Sequence, residues 1–167
     1  MPIEICDYDD RWPEAFARIC NRVGPVLGAR VLRIEHVGST SVPGLAARPI
    51  IDLDLVIRHR SDLPVVIERL GTLDSVHQGD LGITGREAFR SLRPLEPTHH
   101  LYVVAEDASE LRRHLAFRNR LREDADVREQ YAALKRELAA RAGDDRAAYV
   151  SGKSAFVELV LTTAASA

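Results

Sequence analysis

The chain has 167 residues, the length of a single domain, and we expect one domain over residues 1–167. Apolar residues make up 46% and charged residues 29%, a globular composition that excludes a disordered or collagen-like chain. The net charge is −2, from 23 basic and 25 acidic residues, which argues against nucleic acid as a partner because phosphates meet no overall attraction.

No apolar run reaches the ~18 residues of a membrane span, and the first residues lack the basic and apolar regions of a secretory signal. The two cysteines, Cys6 and Cys20, are too few for a disulfide framework and lack metal-ligand spacing. The sequence therefore predicts a cytoplasmic protein with no membrane partner. It contains no determinant of the oligomeric state.

Apolar periodicity predicts alternating helices and strands in the first two thirds of the chain, then helices alone. The predicted elements are helix 12–27, strands 31–37 and 50–57, helix 63–73, strands 76–83, 87–92 and 99–105, and helices 109–122, 124–141 and 145–161. This order favours an α+β fold with a small mixed or antiparallel sheet, helices packed on one face and a helical C-terminal tail.

The segment HVGSTSVPGLAARPIIDLDLVI, residues 36–57, contains two carboxylates on one predicted strand. Asp52 and Asp54 project from the same face about 7 Å apart, because alternate side chains of a strand share a face. Their repulsion in an apolar strand requires a cation, and carboxylates together with substrate phosphates suit Mg²⁺ (or Mn²⁺). A solvated polar face on an edge strand is the alternative.

The turn Gly38-Ser39-Thr40-Ser41 precedes these carboxylates by about a dozen residues. Its backbone N–H groups and three hydroxyls suit phosphate, and the glycine allows close approach of a ligand. A tight turn that caps a helix would use the same residue types. Together with Asp52 and Asp54, the turn provides what is needed to position a nucleoside triphosphate for in-line attack.

Four segments resemble the GrpB family: residues 36–54, THHLYVV, RRHLAFRNRLRED and YAALKRELA. The resemblance extends from about residue 8 to about residue 159, and it implies a nucleotidyltransferase-like fold in a group sometimes fused to dephospho-CoA kinase. The wider nucleotidyltransferase superfamily has a signature of an apolar residue, a glycine and then a glycine or serine, followed later by Asp-apolar-Asp. In this sequence the signature falls on Val37, Gly38, Ser39, Asp52 and Asp54. The resemblance implies that Ser39 helps to hold a triphosphate and that both aspartates hold Mg²⁺.

The sequence departs from that pattern at several positions. A third carboxylate is usual on a neighbouring strand, but segment 98–102 has no acid, and Glu87 is only a distant candidate. His100 is a candidate base for an acceptor hydroxyl, with a structural histidine as the alternative. Relative to the family pattern, Arg48 replaces a more usual lysine, Tyr102 a histidine and Asn119 an aspartate, and the last two weigh against catalysis.

The predicted helix 109–122 carries five arginines. A helical projection places His114, Arg118 and Arg122 on the same arc as its leucines, and arginines facing a core need an anionic partner. That partner is either a carboxylate such as Asp52 or Glu35, or a ligand phosphate. Both alternatives stay open, and the outward arginines form a solvated face.

Arg86 and Lys153 are two further cations of interest. Arg86 lies in the glycine-rich segment LGITGREAFR, which suits a loop closing over a substrate or an ordinary turn with exposed arginines. The segment SGKS around Lys153 does not form a P-loop, because its first glycine is missing and no strand precedes it. The resemblance implies positions near the cleft for both. Only Lys135 and Lys153 are lysines, and a coding bias toward arginine is the favoured explanation, although a local cluster of arginines would also suit phosphate.

The leading hypothesis is therefore a metal-dependent nucleotidyltransferase-like protein with a nucleoside triphosphate as one partner and an unknown acceptor. The candidate residues are Asp52, Asp54 and His100 for catalysis, Asp52 and Asp54 for the metal, and Gly38, Ser39, Thr40, Ser41, Arg86, Arg118, Arg122 and Lys153 for phosphates. The alternative is a non-catalytic nucleotide- or cofactor-binding module linked to coenzyme A metabolism.

Overall fold

A mixed five-stranded sheet organises residues 2–94 and 96–164, which the computed structural model describes. The strands are β1 (Val31–Val37), β2 (Ile51–Ile57), β3 (Ser75–His77), β4 (Arg86–Ser91) and β5 (His99–Ala105). The helices are α1 (Trp12–Leu27), α2 (Leu63–Gly71), α3 (Ser109–Glu123), α4 (Ala125–Ala142), α5 (Arg146–Gly152) and α6 (Ser154–Ala164).

The strand order is β1-β2-β5-β4-β3. Strands β2 and β5 run parallel, and the other neighbouring pairs are antiparallel. In this register Asp52 lies between Val37 of β1 and His100 of β5, and Asp54 lies between Glu35 and Tyr102. The predicted α+β class with a mixed sheet and a helical C-terminal part is confirmed.

One face of the sheet holds the main core. Leu53 and Leu55 of β2 are buried there against α1 and α2. Helix α1 reaches this face because Ala15, Ile19, Val23 and Leu27 repeat every four residues and so form one apolar stripe.

Helix α3 covers the opposite face, which corrects the prediction of helices on one face alone. Its Leu111 packs on Val56 of β2 and Val104 of β5. These two valines follow the polar side chains on the same face of their strands, and their apolar surface needs cover. Asp52 and Asp54 project on this second face, so they lie between the sheet and the C-terminal helices.

Helices α3 and α4 also pack on the loop between β1 and β2. Leu121 and Tyr131 form a cluster with Val42, Leu45 and Ala46 of that loop. The loop follows the turn at Ser39, so this cluster fixes the turn against the helical part of the chain.

Two predicted elements differ substantially from the observed ones. The strand predicted over 76–83 is limited to β3, because Gly79 and Gly82 adopt φ of 74° and 80° and the backbone turns there. The helix predicted over 145–161 is interrupted at Lys153, between α5 and α6. Among the described residues, none of the helices combines the length and apolar character of a membrane span.

Candidate functional site

The turn at Gly38 is in direct contact with Asp52. Gly38 has φ of 69°, and a Cβ added to it would lie only 2.3 Å from Asp52 Oδ2. Both the backbone conformation and the contact therefore require glycine. The two predicted motifs, the turn and the first aspartate, form one structural unit.

Ser39 presents its hydroxyl next to this contact. The residue is half-buried, and Ser39 Oγ accepts a hydrogen bond of 2.9 Å from Lys135 Nζ of α4. Lys135 is only 2% exposed and also donates to the carbonyl of Ala46. The serine hydroxyl is thus held by a buried cation from the C-terminal part of the chain.

Thr40 and Ser41 are buried, and their hydroxyls brace the turn. Thr40 Oγ1 donates to the carbonyl of Ile50 at 3.2 Å, so it accepts from His36 Nε2 at 3.0 Å. Ser41 Oγ donates to the carbonyl of Gly38 at 2.6 Å. Both hydroxyls predicted to bind phosphate already have partners within the protein.

Asp52 and His100 form a hydrogen-bonded pair on neighbouring strands. His100 Nδ1 lies 2.8 Å from Asp52 Oδ1, and His100 Nε2 lies 3.3 Å from Arg146 Nη2. A guanidinium only donates, so Nε2 is the acceptor and Nδ1 carries the proton that Asp52 accepts. The imidazole is therefore oriented by Asp52 with its basic nitrogen toward Arg146.

Asp54 is 0% exposed, whereas the Asp52 side chain is 29% exposed. Asp54 Oδ2 lies 2.6 Å from His114 Nδ1, and His114 Nε2 lies 3.1 Å from Glu110 Oε1. Burial alone would lower the pKa of His114, but the hydrogen bonds with Asp54 and Glu110 outweigh it and raise the pKa to about 9. His114 is thus a cation at neutral pH, and Asp52 alone of the two aspartates reaches the surface.

The two inward arginines of α3 have partners within the protein. Arg118 Nη1 donates to Glu35 Oε2 at 2.9 Å and to the carbonyl of His36 at 3.0 Å. Arg122 donates to the carbonyl of Ser41 at 3.0 Å and 2.6 Å. Of the two alternatives, the structure shows a carboxylate partner for Arg118, whereas Arg122 holds the backbone of the turn.

Glu87 is not a third carboxylate of this site. It is buried on β4 opposite Val103, a residue of the α1–α2 core, so it lies on the other face of the sheet from Asp52. Arg60 and His77 bind its two oxygens at 2.5 Å and 2.7 Å. The sequence-based candidate was wrong because the strand register, which sets its face, could not be read from the sequence.

A first cavity of about 290 Å³ opens on one side of Asp52. Its lining includes Gly38, Ser39, Asp52, Tyr102, Glu110, the cations Arg86, Arg113, His114 and Arg118, and the apolar or aromatic residues Phe117, Leu121, Tyr131, Val157 and Leu161. The Arg86 guanidinium lies 4.2 Å from the centre of the Tyr102 ring. Arg86 Nε is buried without a hydrogen-bond partner among the described residues.

A second cavity of about 200 Å³ opens on the other side of Asp52. It is lined by Ser39, Thr40, Arg48, Ile50, Asp52, His100, Tyr102, Lys135, Arg146, Tyr149, Val150 and Lys153. Within the described part of the chain, its four Arg and Lys side chains form no salt bridge, and Asp52 is its one acidic residue. This excess of positive charge suits a polyanion.

Burial lowers the pKa of both Arg48 and Lys153, and neighbouring cations add to the effect. Ser39, Asp52 and Tyr102 line both cavities, so the predicted turn and aspartate lie at the boundary between them.

The sequence interpretation missed Lys135, Arg48 and Arg146 as lining residues. One signal was available: the chain has two lysines among 23 basic residues, and both line the second cavity. Lys153 reaches it from the junction of α5 and α6, with its ammonium 4.4 Å from the centre of the Tyr149 ring.

The fold and site define an α+β protein with a charged cleft between the sheet and its C-terminal helices. The model of the GrpB protein family matches residues 2–163, so the chain belongs to the GrpB family, as the sequence predicted. The crystal structure of the conserved protein GrpB from Enterococcus faecalis is similar, with a TM-score of 0.85 and 31% identity over 96% of each chain.

Two curated relatives are longer than this chain. The UPF0157 protein YqkA of Bacillus subtilis (strain 168) is 33% identical over 93% of this chain and 45% of its own length. A dephospho-CoA kinase of Mycolicibacterium paratuberculosis is 29% identical over 91% of this chain and 43% of its own length. The chain thus spans less than half the length of these two relatives.

Proposed function

We propose that this chain binds a nucleoside triphosphate between its two cavities and acts as a metal-dependent nucleotidyltransferase-like protein. The contact of Gly38 with Asp52, with Ser39 beside it, is the observation that carries the proposal. This chemistry requires a phosphate-binding turn and a carboxylate at one point, and the contact between the Gly38 turn and Asp52 supports the proposal for that reason.

The charge distribution supports one orientation of the triphosphate. The second cavity, with four Arg and Lys side chains and one acidic side chain, suits the phosphates. The first cavity combines Phe117 and Tyr131 with apolar side chains and suits a nucleoside or the acceptor. In this arrangement Arg86, whose guanidinium lies 4.2 Å from the centre of the Tyr102 ring, would offset negative charge that develops on the phosphates.

Asp52 and Asp54 are the residues that would hold Mg²⁺ or Mn²⁺. Mg²⁺ is commonly bound by one or two carboxylates together with substrate phosphates. Asp54 lines neither cavity, but its Oδ1 is buried without a hydrogen bond among the described residues, so this oxygen has no partner within the protein. Among residues 2–94 and 96–164 no three His, Cys, Asp or Glu side chains converge on one point, so the phosphates would complete the ligand set. The ion, when bound, would offset charge on the phosphates.

His100 is the candidate base for an acceptor hydroxyl. Its Nε2 is the basic nitrogen, and Asp52 holds the ring through Nδ1. A base oriented in this way accepts a proton at Nε2 once an acceptor hydroxyl has replaced Arg146 as the donor to Nε2, while the carboxylate stabilises the resulting cation.

The test is the thermal stability of the protein with a panel of nucleoside triphosphates, with and without Mg²⁺ or Mn²⁺. A ligand at ten times its Kd stabilises the folded state by about 1.4 kcal/mol, which raises the Tm of a domain of this size by about 3–6 °C. We expect that shift for at least one triphosphate with metal, and its loss in Asp52→Asn.

Asp144→Asn is the matched control, because it removes the same charge from an exposed position that lines neither cavity. It should retain the full shift. The absence of a shift with every triphosphate, or an equal shift in Asp52→Asn, would contradict the proposal.

A second candidate is a non-catalytic module that binds a nucleotide-containing cofactor linked to coenzyme A metabolism. The similarity to the dephospho-CoA kinase and the full burial of Asp54 favour it. Dephospho-CoA and coenzyme A belong in the same panel. Metal-independent stabilisation by either, together with no release of pyrophosphate from any triphosphate, would favour this module over the transferase.

A further inference from the structure

Lys135 and Ser39 form a close pair that the proposed function does not explain. Lys135 Nζ lies 2.9 Å from Ser39 Oγ and 4.8 Å from the centre of the Tyr131 ring, and it also donates to the carbonyl of Ala46. No carboxylate of the described residues forms a salt bridge with it. Ser39 borders both cavities, so a ligand can reach its hydroxyl while the amine stays buried.

The composition gives an independent reason to consider that Lys135 exchanges a proton and is not only a fixed positive charge. Two of the 23 basic residues are lysine, so 21 are arginine. Arginine keeps its proton in proteins, whereas a buried lysine can lose it. Lys135 is one of the two lysines, and it is buried without a carboxylate partner among the described residues. These surroundings suit an amine that exchanges a proton.

The electrostatic surroundings support this interpretation. Burial lowers the pKa of Lys135 to about 7, and the nearby cations Lys153 and Arg136 add to the effect. The negative charge of a Cys6 thiolate would raise the pKa of Lys135. Tyr131 presents its ring to Lys135 and its hydroxyl to Ser39. Near neutral pH a substantial fraction of the amine is therefore uncharged and can accept a proton.

We propose that Ser39 is a nucleophile and Lys135 its general base, and that the pair attacks a phosphoanhydride. The Ser39 Oγ proton moves to the neutral Lys135 Nζ, and Oγ attacks phosphorus. The Oγ–P bond forms as the bond from phosphorus to the bridging oxygen breaks, and the leaving phosphate departs with that electron pair beside Arg48 and Arg146. Only the choice of a phosphoanhydride as substrate rests on the proposed function.

A fluorophosphonate probe tests the pair without nucleotide or metal. It undergoes the same displacement, in which Oγ attacks phosphorus and fluoride leaves. Intact-protein mass spectrometry with peptide mapping should find one label on Ser39 and none at that peptide in Ser39→Ala. The rate of labelling should rise with pH with a midpoint near 7, as the amine loses its proton.

Lys135→Arg separates a base from a structural cation, because arginine keeps a donor near Ser39 but does not accept a proton. Its labelling rate at pH 8 should fall by about 100-fold or more, the usual effect of losing a general base. Arg141→Lys, on an exposed part of the same helix, is the control and should be labelled at the wild-type rate. Thermal unfolding checks that each variant is folded.

Two results would overturn the inference: no label on Ser39 in the folded wild-type chain, or equal rates and pH profiles in wild type and Lys135→Arg. The wild-type pH profile serves as the test if Lys135→Arg does not fold. Stabilisation by a triphosphate without labelling of Ser39 would remove this inference and leave the proposed function standing. Labelling of Ser39 without triphosphate binding would leave this inference standing and contradict the proposed function.

Discussion

Gly38 and Asp52 show how a single residue choice creates the site. With any other residue at position 38, a Cβ would meet the Asp52 carboxylate at 2.3 Å and the backbone would be strained at φ of 69°. The sequence indicated that the turn and Asp52 act together, but their contact depends on the pairing of β1 with β2, in which Val37 lies opposite Asp52. The cations of the second cavity could not be predicted, since Arg48, Lys135 and Arg146 come together only through tertiary packing.

Protonation of His36 makes the free energy of unfolding depend on pH. Burial, followed by the positive charges of Arg122 and Arg118, outweighs the attraction of Asp52 and lowers the pKa of His36 to about 4. The unfolded chain binds the proton near pH 6.5, before the folded protein does. The free energy of unfolding should therefore fall as the pH decreases from about 6.5 to about 4 and then level off with respect to this group.

The measurement is urea unfolding at several pH values between 4 and 7. His36→Gln should reduce the slope in this range by up to about 1.4 kcal/mol per pH unit, which corresponds to one proton. It also loses the stacking on Phe16 at 4.6 Å, so its overall stability falls at every pH. The exposed His59→Gln is the control and should keep the wild-type slope; an unchanged slope in His36→Gln would contradict the assignment.

At the scale of elements, the attachment of α3 to the sheet determines the shape of the first cavity. His114 joins α3 to β2 through Asp54, and Arg118 joins α3 to β1 through Glu35. Hydrogen bonds from Arg118 and Arg33 hold the pKa of Glu35 below its usual range, although burial acts against them. The helix is therefore positioned by ion pairs as well as by Leu111.

Arg118→Gln should lower the free energy of unfolding by about 1–3 kcal/mol, because it leaves Glu35 without its closer partner in a half-buried position. Arg18→Gln breaks an exposed pair with Glu14 and should change stability by less than about 0.5 kcal/mol. Urea denaturation measures both. Equal effects of the two substitutions would show that the Arg118 pair does not hold α3.

Strong periodicity made α1, β1 and β5 predictable with their observed ends, because each has a regular apolar pattern. The interruption at Lys153 was not predicted, because Tyr149 and Phe156 keep a helical spacing of seven residues across segment 151–154, although that segment has no apolar residue. The short β3 was missed for a related reason: Val76 and Ile83 extend the apolar pattern, while the intervening glycines end the strand.

At the scale of the whole molecule, the cleft lies between the sheet and the C-terminal helices, which come from different parts of the sequence. The sheet contributes Asp52, His100 and Tyr102, the loop between β1 and β2 contributes Arg48, and the C-terminal part of the chain contributes Lys135, Arg146 and Lys153. The sequence indicated the aspartates and the inward arginines separately. It did not indicate that helices cover both faces of the sheet, and this coverage encloses the aspartates.

The position of a bound metal–triphosphate complex distinguishes the proposed site from any other part of the surface. Mn²⁺ broadens NMR signals of nearby nuclei, so we would record amide spectra with Mn²⁺ alone and with Mn²⁺ and a non-hydrolysable ATP analogue. We expect the analogue to make broadening strongest at Gly38, Ser39 and Asp52 and weakest in α2, across the sheet. Strongest broadening elsewhere, or a pattern that the analogue does not change, would contradict the proposed site.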